Sequence, residues 1–388
     1  MPAPLGAWDF GVTCVTPSER PAPGLVGGAG ELVPDGAGWS RGPAEAGGSR
    51  GGAGRVPGSW HDADMTNAQE SHATTSIVPA GSLMYGMQLP IQTLTRTLVE
   101  PWEETATVAD LVRVARESEA AGFGFIGVCD HVALPPVEYT KHMTPTWYDP
   151  VATLGYLAAA TTGVRLLSVV YIAPYRHPLV SAKSFMTLDH LSGGRVILGV
   201  GAGHVESEFE ALGLDFKTRG ARLNEAIDAM RGAFADTYSE FSGRFFEYGQ
   251  VGLAPRPVQA SVPIWIGGSS RAALRRVAER GDGWIPQGTP REKMRESIDV
   301  IRARADEVRP DAVLDLGFMP GMVYVGEPDW DVGAWCISGP ADKIAETLRE
   351  AHEFGCNVLH LRFRSRSLDE LSDQIAAFGA EVAPSLSI

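Results

Sequence analysis

The regular alternation of short apolar runs with amphipathic segments limits what this chain can fold into more than any other feature. Eight runs rich in β-branched side chains are each followed by a stretch of helical length. The predicted strands lie at 83–89, 124–128, 165–170, 196–200, 263–267, 283–285, 314–325 and 358–363. The predicted helices lie at 104–121, 149–161, 177–192, 219–237, 269–281, 289–307, 340–354 and 368–382. This order predicts an α/β protein, a (β/α)8 TIM barrel of parallel strands with insertions in its βα loops.

An open, doubly wound sheet is the alternative fold for such an alternation. It would place a G-x-G-x-x-G turn after the first strand, and the segment from Gln88 to Ile91 contains no glycine. Two further segments are longer than plain barrel connections require. Residues 134–150, rich in proline and aromatic side chains, are a predicted cover loop after the second strand. Residues 241–261 are a predicted hairpin insertion before the fifth strand.

The first 64 residues differ in composition from the rest of the chain. They contain 15 glycines and 8 prolines without periodicity, so they bury too little apolar surface to offset the entropy of ordering. We predict a disordered tail over 1–64, a short lead-in over 65–83 and the barrel domain over 84–388. Met65 directly follows the tail and is a candidate for the first native residue, in which case the tail is not native.

Charge and cysteine usage narrow the classes of partner and the compartment. The net charge of −14 repels phosphate backbones, which argues against nucleic-acid binding. The four cysteines form no C-x-x-C pair, which disfavours a zinc site and a disulfide framework and fits a reducing compartment. Polar residues interrupt the apolar stretch at 151–174, and no secretory signal pattern precedes it. We therefore predict a cytoplasmic protein without a membrane partner.

The second predicted strand is followed by Asp130 and His131, at the end of a barrel where active sites lie. A carboxylate beside an imidazole can hydrogen-bond a polar heterocycle and transfer a proton near neutral pH. The alternative is a capping aspartate beside a structurally satisfied histidine. The position at a strand end favours the functional interpretation, and we take both residues as catalytic candidates.

Two glycine-rich segments follow the fourth and fifth predicted strands, and each leads into a helix. Glycines there allow backbone N–H groups to approach a ligand, and a helix N-terminus favours an anion such as phosphate. The alternatives are a tight turn for the first segment and a helix cap for the second. The first segment comprises Gly201, Ala202, Gly203 and His204. The second comprises Gly267, Gly268, Ser269 and Arg271.

Three missing patterns narrow the chemistry further. No lysine lies at a predicted strand end, which disfavours Schiff-base catalysis. No His-x-His follows a strand, so no metal site is predicted, and no G-x-S-x-G turn for a nucleophilic serine follows a predicted strand. A phosphate site, a proton-transferring pair and a glycine-lined floor are typical of a protein that binds an organic cofactor.

Several long motifs carry a family resemblance over about 84–384. The most specific one includes Tyr-Arg-His-Pro at 175–178, Leu-Asp-His-Leu-Ser-Gly-Gly-Arg at 188–195 and Gly-Val-Gly-Ala-Gly at 199–203. Others are Phe-Glu-Ala-Leu-Gly at 209–213 with Arg-Gly at 219–220, and Pro-Ile-Trp-Ile-Gly-Gly-Ser at 263–269 with Gly-Asp-Gly-Trp at 281–284. With these motifs the sequence resembles the bacterial-luciferase-like superfamily, specifically its oxidoreductases that depend on the deazaflavin coenzyme F420.

The resemblance implies a role for each matched residue. Asp130 and His131 match the pair at the polar edge of the deazaflavin, with the histidine as proton donor or acceptor. Ser168 and Val169 match a bulge in the third strand that supports one ring face, often through a non-proline cis peptide. The residues 201–203 match the loop flanking the cofactor side chain, and those at 267–269 match the phosphate site. Because His204 stands where the sugar-phosphate dehydrogenase branch has a glutamate, that substrate class is disfavoured.

The function implied is hydride transfer between coenzyme F420 and a small organic substrate, by a homodimer. Two alternatives stay open. One is an FMN-dependent monooxygenase of the luciferase type, because both cofactors carry one phosphate on a ribityl chain. The other is a non-catalytic barrel that binds a flavin or deazaflavin, or no cofactor. Basic residues such as Arg271, Arg275 or Arg276 follow the phosphate site. Because they suit the anionic tail of the deazaflavin, they favour coenzyme F420 over FMN.

Overall fold

The structure is a computed structural model that describes residues 76–95, 99–141 and 143–386. Its strands are β1 (Met84–Gln88), β2 (Phe125–Val128), β3 (Arg165–Ser168), β4 (Tyr171–Ile172), β5 (Val196–Gly201), β6 (Tyr238–Ser242), β7 (Glu247–Gly252), β8 (Ile264–Gly267), β9 (Gly283–Ile285), β10 (Asp315–Phe318), β11 (Met322–Val325), β12 (Cys336–Gly339) and β13 (Val358–Leu361). Its α-helices are α1 (Val108–Ala120), α2 (Pro150–Ala160), α3 (Pro178–Ser192), α4 (Glu206–Ala211), α5 (Arg219–Ala235), α6 (Arg271–Arg280), α7 (Met294–Val308), α8 (Ala341–Phe354) and α9 (Leu368–Ala377). The tail predicted over 1–64 and most of the lead-in lie outside the described residues, so both stay predictions.

Eight parallel strands close into a barrel, which confirms the predicted (β/α)8 fold. The pairing runs from β1 through β2, β3, β5, β8, β9, β10 and β13, and β13 pairs with β1 again. Each of the eight predicted strands contains one barrel strand. In the described part of the chain, no helix is both long and apolar enough to cross a membrane.

Local sequence signals fix where the helices begin and end. Thr107 caps α1, and the Asp110 carboxylate accepts a hydrogen bond from the Thr107 N–H at 2.7 Å, so the two residues form a capping box. Pro150 occupies the first turn of α2, where its missing N–H has no cost. Gly193 ends α3 in the left-handed conformation, at φ 69°, which side chains other than glycine rarely adopt.

The interior of the barrel is a small apolar cluster separate from the larger one between strands and helices. A layer of large side chains fills it, contributed by different strands: Phe125, Leu167, Ile197, Trp265, Ile285 and Val358. The N-terminal end is closed by residues 76–78, because the Asp315 carboxylate accepts hydrogen bonds from Ser76 Oγ at 2.8 Å and from Ile77 N at 2.9 Å. The C-terminal ends of the strands therefore form the open end of the barrel.

Two predicted strands differ from the observed ones. The run at 314–325 forms two strands, since Pro320 and Gly321 interrupt it; β10 belongs to the barrel, and β11 pairs with β12 outside it. The run at 165–170 ends earlier, at Ser168, and the peptide bond between Val169 and Val170 is cis. The predicted insertion is a hairpin of β6 and β7, and it begins three residues before the expected start at 241.

Candidate active site

Asp130 follows β2 and is buried at the open end of the barrel. Its Oδ1 accepts a hydrogen bond from Arg176 Nη2 at 2.9 Å, and its Oδ2 accepts one from the Ile172 N–H at 2.8 Å. The carboxylate therefore ties β4 and the segment after it to the end of β2. Both carboxylate oxygens of Asp130 already have these partners. The side chain therefore positions the neighbouring elements.

His131 points away from Asp130 and toward α4. Its Nδ1 lies 2.8 Å from Glu208 Oε2, and its ring centroid lies 4.3 Å from that of Trp147. A carboxylate acceptor places the proton of the neutral ring on Nδ1, which leaves Nε2 to accept a proton. Trp147 is held in turn, because the backbone around it forms an antiparallel bridge to Thr93. The imidazole is thus oriented by both neighbours.

Glu208 anchors this end of the structure although it lies on the six-residue helix α4. Its Oε1 accepts from the Val132 N–H at 2.5 Å and the Ala133 N–H at 3.0 Å, and the Tyr175 hydroxyl donates to Oε2 at 2.8 Å. Burial alone would raise the pKa of Glu208, but these bonds and the one from His131 hold it below its usual range. Glu208 is therefore a buried carboxylate that stays charged at neutral pH.

Glu208 is absent from the site predicted from sequence. The only local signal is a short helix after a glycine-rich loop, and that signal does not distinguish Glu208 from Glu206 or Glu210. In the structure Glu208 is fully buried, whereas Glu206 and Glu210 are exposed. Its role depends on contacts with residues 33 to 77 positions away in the chain.

A pocket of about 340 Å³ opens beside His131. Its walls come from the end of β2, the cover loop and the segment after β4: His131, Val132, Trp147, Asp149, Tyr175, Arg176 and Leu212. His204 lies at the same end, with its ring centroid 5.6 Å from that of His131 and 6.1 Å from that of Tyr139. The second strand end, the glycine-rich loop and the cover loop therefore meet around one imidazole.

The bulge after β3 packs among three glycines. A Cβ on Gly201 or on Gly267 would lie 2.5 Å from a Val170 methyl carbon, and one on Gly127 would lie 2.9 Å from Val169. Ser168 is buried, and its hydroxyl donates to the Gly199 carbonyl at 2.9 Å. The absence of side chains at Gly201 and Gly267 thus makes room for Val170 of the same chain, while Val169 and Val170 remain half-buried.

The other loop residues predicted after β5 have structural partners. Gly203 has φ 81°, and a Cβ there would lie 2.8 Å from the Phe209 ring. Ala202 packs against the main core. Both positions are therefore constrained by the fold, and their backbone still lies at the open end of the barrel.

The predicted phosphate site lies between β8 and α6. Gly268 adopts φ 100°, and Ser269 Oγ donates to the Gln287 carbonyl at 2.8 Å. Ser270 caps α6 by accepting from the Ala273 N–H at 3.2 Å. Arg271 is exposed at the first position of the helix. The first turn of this ten-residue helix thus combines backbone N–H groups with a cation, which is the arrangement that favours a bound anion.

Arg276 was predicted from the sequence as a candidate contact for the anionic tail of the deazaflavin, but the structure gives it other partners. It is buried, and it donates to Asn224 Oδ1 at 2.6 Å and to the Gly220 carbonyl at 3.2 Å. Arg275 is exposed and lies 3.8 Å from Glu279. The packing of α6 against α5 therefore uses Arg276, and Arg271 is the exposed cation at the helix start.

The aromatic side chains at the ends of the strands and in the cover loop have two different roles. Trp147 lines the pocket beside His131. Tyr171 instead belongs to the core, because its ring packs on Phe185 and its hydroxyl lies 3.0 Å from Ser181 Oγ. Its position at a strand end did not reveal that the ring points outward from the barrel toward α3.

Replacing Gly267 by alanine tests the packing of the bulge. We expect a loss of about 1–3 kcal/mol in the free energy of unfolding, because the new methyl group overlaps Val170. Gly232→Ala is the matched control: it lies in α5 with no atom within 4 Å of its Cβ position, and should raise stability by about 0.5–1 kcal/mol. Urea unfolding measures the free energy of unfolding of both variants. An unchanged value for Gly267→Ala would contradict the tight contact with Val170.

Comparison with known proteins places this site in a family. The model of the family described as luciferase-like monooxygenase matches residues 87–335. An uncharacterized protein of Mycobacterium tuberculosis is 32% identical over 212 residues, which span 52% of this chain and 72% of that protein. An FMNH2-dependent dimethylsulfone monooxygenase of Pseudomonas fluorescens is 30% identical over 197 residues, 50% of this chain and 52% of that enzyme.

Solved structures share the fold at low sequence identity. A monooxygenase from Streptomyces bottropensis superposes with a TM-score of 0.65 at 19% identity, covering 78% of this chain and 99% of that one. An F420-dependent secondary alcohol dehydrogenase superposes with a TM-score of 0.64 at 18% identity, covering 79% and 99%. The matched family model spans most of the barrel, from the end of β1 to the start of β12. The chain belongs to the luciferase-like monooxygenase family.

Proposed function

We propose that this protein is an oxidoreductase that transfers a hydride between coenzyme F420 and a small organic substrate, with His131 transferring the accompanying proton. The observation that carries the proposal is the pair formed by His131 and the buried Glu208, 2.8 Å apart beside an open pocket. A carboxylate that fixes one imidazole nitrogen leaves the other for proton transfer at the substrate. The cytoplasm is the proposed place of action.

Two features of the structure fit a deazaflavin. The half-buried Val169 and Val170 present an apolar surface at the open end of the barrel, on which one ring face can stack. The first turn of α6 offers backbone N–H groups and Arg271 to a phosphate. When bound, the deazaflavin supplies or accepts the hydride at C5.

The remaining work is done by side chains of this chain. Glu208 stays charged and stabilises the imidazolium that forms when His131 accepts a proton at Nε2. Asp130 holds β4 and Arg176 in place and is therefore a positioning residue. The cover loop contributes Trp147, whose ring lies against His131 and limits the access of water to it.

The mass and absorption spectrum of the cofactor that the purified protein retains test this proposal. We expect saturable binding of F420, and hydride exchange between reduced F420 and a carbonyl or alkene acceptor. Binding without exchange against any acceptor would support the non-catalytic alternative. Failure to bind either F420 or FMN would contradict the proposal.

An FMN-dependent monooxygenase is the second candidate function. The similarity to an FMNH2-dependent dimethylsulfone monooxygenase, at 30% identity over half of the chain, favours it. Both cofactors place a phosphate on a ribityl chain, so the α6 site does not separate them. Retention of FMN with consumption of oxygen, and no binding of F420, would establish this alternative instead.

Arg271 offers a way to distinguish the two cofactors. We expect Arg271→Gln to weaken F420 binding by about two- to fivefold, because an exposed cation contributes modestly to holding the anionic tail. FMN lacks that tail, so its affinity should change by less than about twofold. The F420 effect should also shrink at high salt. Arg304→Gln, on the outer helix α7, is the control; equal losses for both cofactors would contradict a contact with the tail.

A homodimer is part of the proposal. Helices α2 and α3 carry large apolar side chains on their outer surfaces, with Tyr156 57%, Val180 59% and Leu191 70% exposed. Their burial against a second subunit would remove apolar surface from water. Light scattering after size-exclusion chromatography measures the mass in solution, and a monomer at micromolar concentration would contradict the dimer.

A further inference from the structure

Arg362 is a partly buried cation at the open end of the barrel, with its Nε fully buried, and lies three strands from β8 in the barrel order. It follows the last barrel strand, β13, directly. Two residues earlier on the same strand lies His360, so the two side chains point to the same face. His360 pairs with Gly86 of β1, and its ring lies 5.9 Å from that of Phe125, which belongs to the interior layer. Both residues therefore face the inside of the barrel.

The polar atoms of these two side chains are largely without protein partners. His360 is 1% exposed, and neither ring nitrogen has a hydrogen-bond partner among the described residues. Burial, with a smaller effect of Arg362, lowers the pKa of His360 to about 3, so the ring is neutral and offers one donor and one acceptor. Arg362 Nε likewise has no partner among residues 76–95, 99–141 and 143–386.

Other buried arginines of this chain are fully engaged, which makes Arg362 unusual. Arg176 pairs with Asp130, and Arg231 lies 2.9 Å from Asp282. Arg195 has no carboxylate partner, but it donates to several backbone carbonyls around the ends of α2 and α3. The Arg362 guanidinium donates to Gln88 Oε1.

Among the described residues no carboxylate forms an ion pair with this guanidinium, and Glu103 attracts it only at longer range. Glu103 accepts from the Ile91 N–H at 2.7 Å and the Glu100 N–H at 2.9 Å, and burial raises its pKa despite those bonds. Glu100 lies 2.8 Å from Arg364. A charge that is largely removed from water and has no ion-pair partner is costly, so such a group is retained where it has a use.

A recess that is open to solvent lies against Arg362 and combines polar and apolar walls. Gln88 and Arg362 line it at the ends of β1 and β13. Apolar surface comes from Leu89, Trp102 and Met322. An arginine fork binds a carboxylate or sulfonate through two hydrogen bonds, and the apolar walls suit a hydrocarbon body.

We propose that Arg362 binds the oxyanion of a small organic acid, a carboxylate or sulfonate with an apolar body, in this recess. The assignment of this acid as the substrate rests on the proposed function. The proposal that the acid binds here is independent of it. The anionic end would lie on Arg362 and the hydrocarbon body against Trp102 and Met322. Arg362 is thus a specificity-determining residue.

Calorimetry tests this proposal by measuring the binding of hexanoate and hexanesulfonate to the full chain without added cofactor. We expect saturable binding of one or both anions, and no binding of hexanol or hexylamine at the same concentrations. Arg362→Met should weaken binding at least about tenfold, because a charge-assisted pair is lost, whereas Arg362→Lys should retain part of it. Arg302→Met, exposed on α7, is the control and should bind as the unmodified protein does.

Stability gives an independent readout. If Arg362 serves a ligand, Arg362→Met should not lower the midpoint of urea unfolding, because an apolar side chain replaces an unpaired buried charge. A lowered midpoint would assign Arg362 to the fold and overturn the proposal. So would equal binding of hexanol and hexanoate by the unmodified protein, a comparison that needs no variant. Cofactor retention is measured separately, so failure of either proposal is visible without the other.

Discussion

Replacing His131 by alanine is expected to lower turnover by about 10²–10⁴-fold while F420 binding changes little. The imidazole is the group that transfers the proton in the proposed reaction, and Glu208 holds its Nδ1 at 2.8 Å. The predicted cofactor contacts, the bulge at 169–170 and the first turn of α6, come from other strands and are untouched by the change. The effect should therefore fall on kcat with F420, measured by loss of the deazaflavin absorbance.

His190→Ala provides the matched control for this experiment. His190 is exposed near the end of α3, on the outside of the barrel, so its loss should leave turnover unchanged. If His131→Ala retains the full rate, His131 has no part in proton transfer. If F420 binding is lost together with turnover, the histidine holds the cofactor and the proposed division of roles is wrong.

Glu208→Ala is expected to lower the free energy of unfolding by about 3–5 kcal/mol. The substitution leaves the N–H groups of Val132 and Ala133 and the Tyr175 hydroxyl without their acceptor. Each unsatisfied buried donor costs about 1–3 kcal/mol. Urea unfolding measures the loss. Glu210→Ala, an exposed position on the same helix, should change stability little, and an equal effect of both substitutions would contradict the anchoring role.

Glu208→Gln separates the charge of this residue from its shape. The amide keeps one oxygen as an acceptor, but it does not stabilise an imidazolium at His131, so turnover should fall more than stability does. The pKa of Glu208 is lowered in the folded protein, despite the opposing effect of burial. Its stabilisation is therefore complete above the pKa of the unfolded chain, about 4.3, and is lost as the pH falls through the lower folded value. In the Glu208→Gln variant this contribution to the pH dependence of the free energy of unfolding should be absent.

The periodicity of the sequence predicts the barrel because it reflects local physics. Apolar side chains recur every second residue in strands and every three or four residues in helices, and caps such as Thr107 mark the helix starts. The errors occur where tertiary contacts override this pattern. Residues 322–325 have the composition of a barrel strand, yet they pair with β12 because Pro320 and Gly321 turn the chain away from β10.

The candidate site was predictable in position and only partly in its contacts. Asp130, His131 and the two glycine-rich segments follow strands, and parallel strands bring their carboxyl ends to one end of a barrel. The reason for the glycines differs from the predicted one at Gly201 and Gly267, where Val170 occupies the space that a side chain would need. A sequence does not show which atoms fill the space beside a glycine.

The sequence by itself therefore determined the family, the barrel and the strand ends at which the candidate site lies, since these follow from local periodicity and contiguous motifs. Only the tertiary structure decided which polar groups pair. It joins His131 to Glu208 across 77 positions and Asp130 to Arg176 across 46, and it leaves Arg362 without a carboxylate among the described residues. The physical reason is that burial makes each such pairing favourable or costly, and burial exists only once distant segments have packed together.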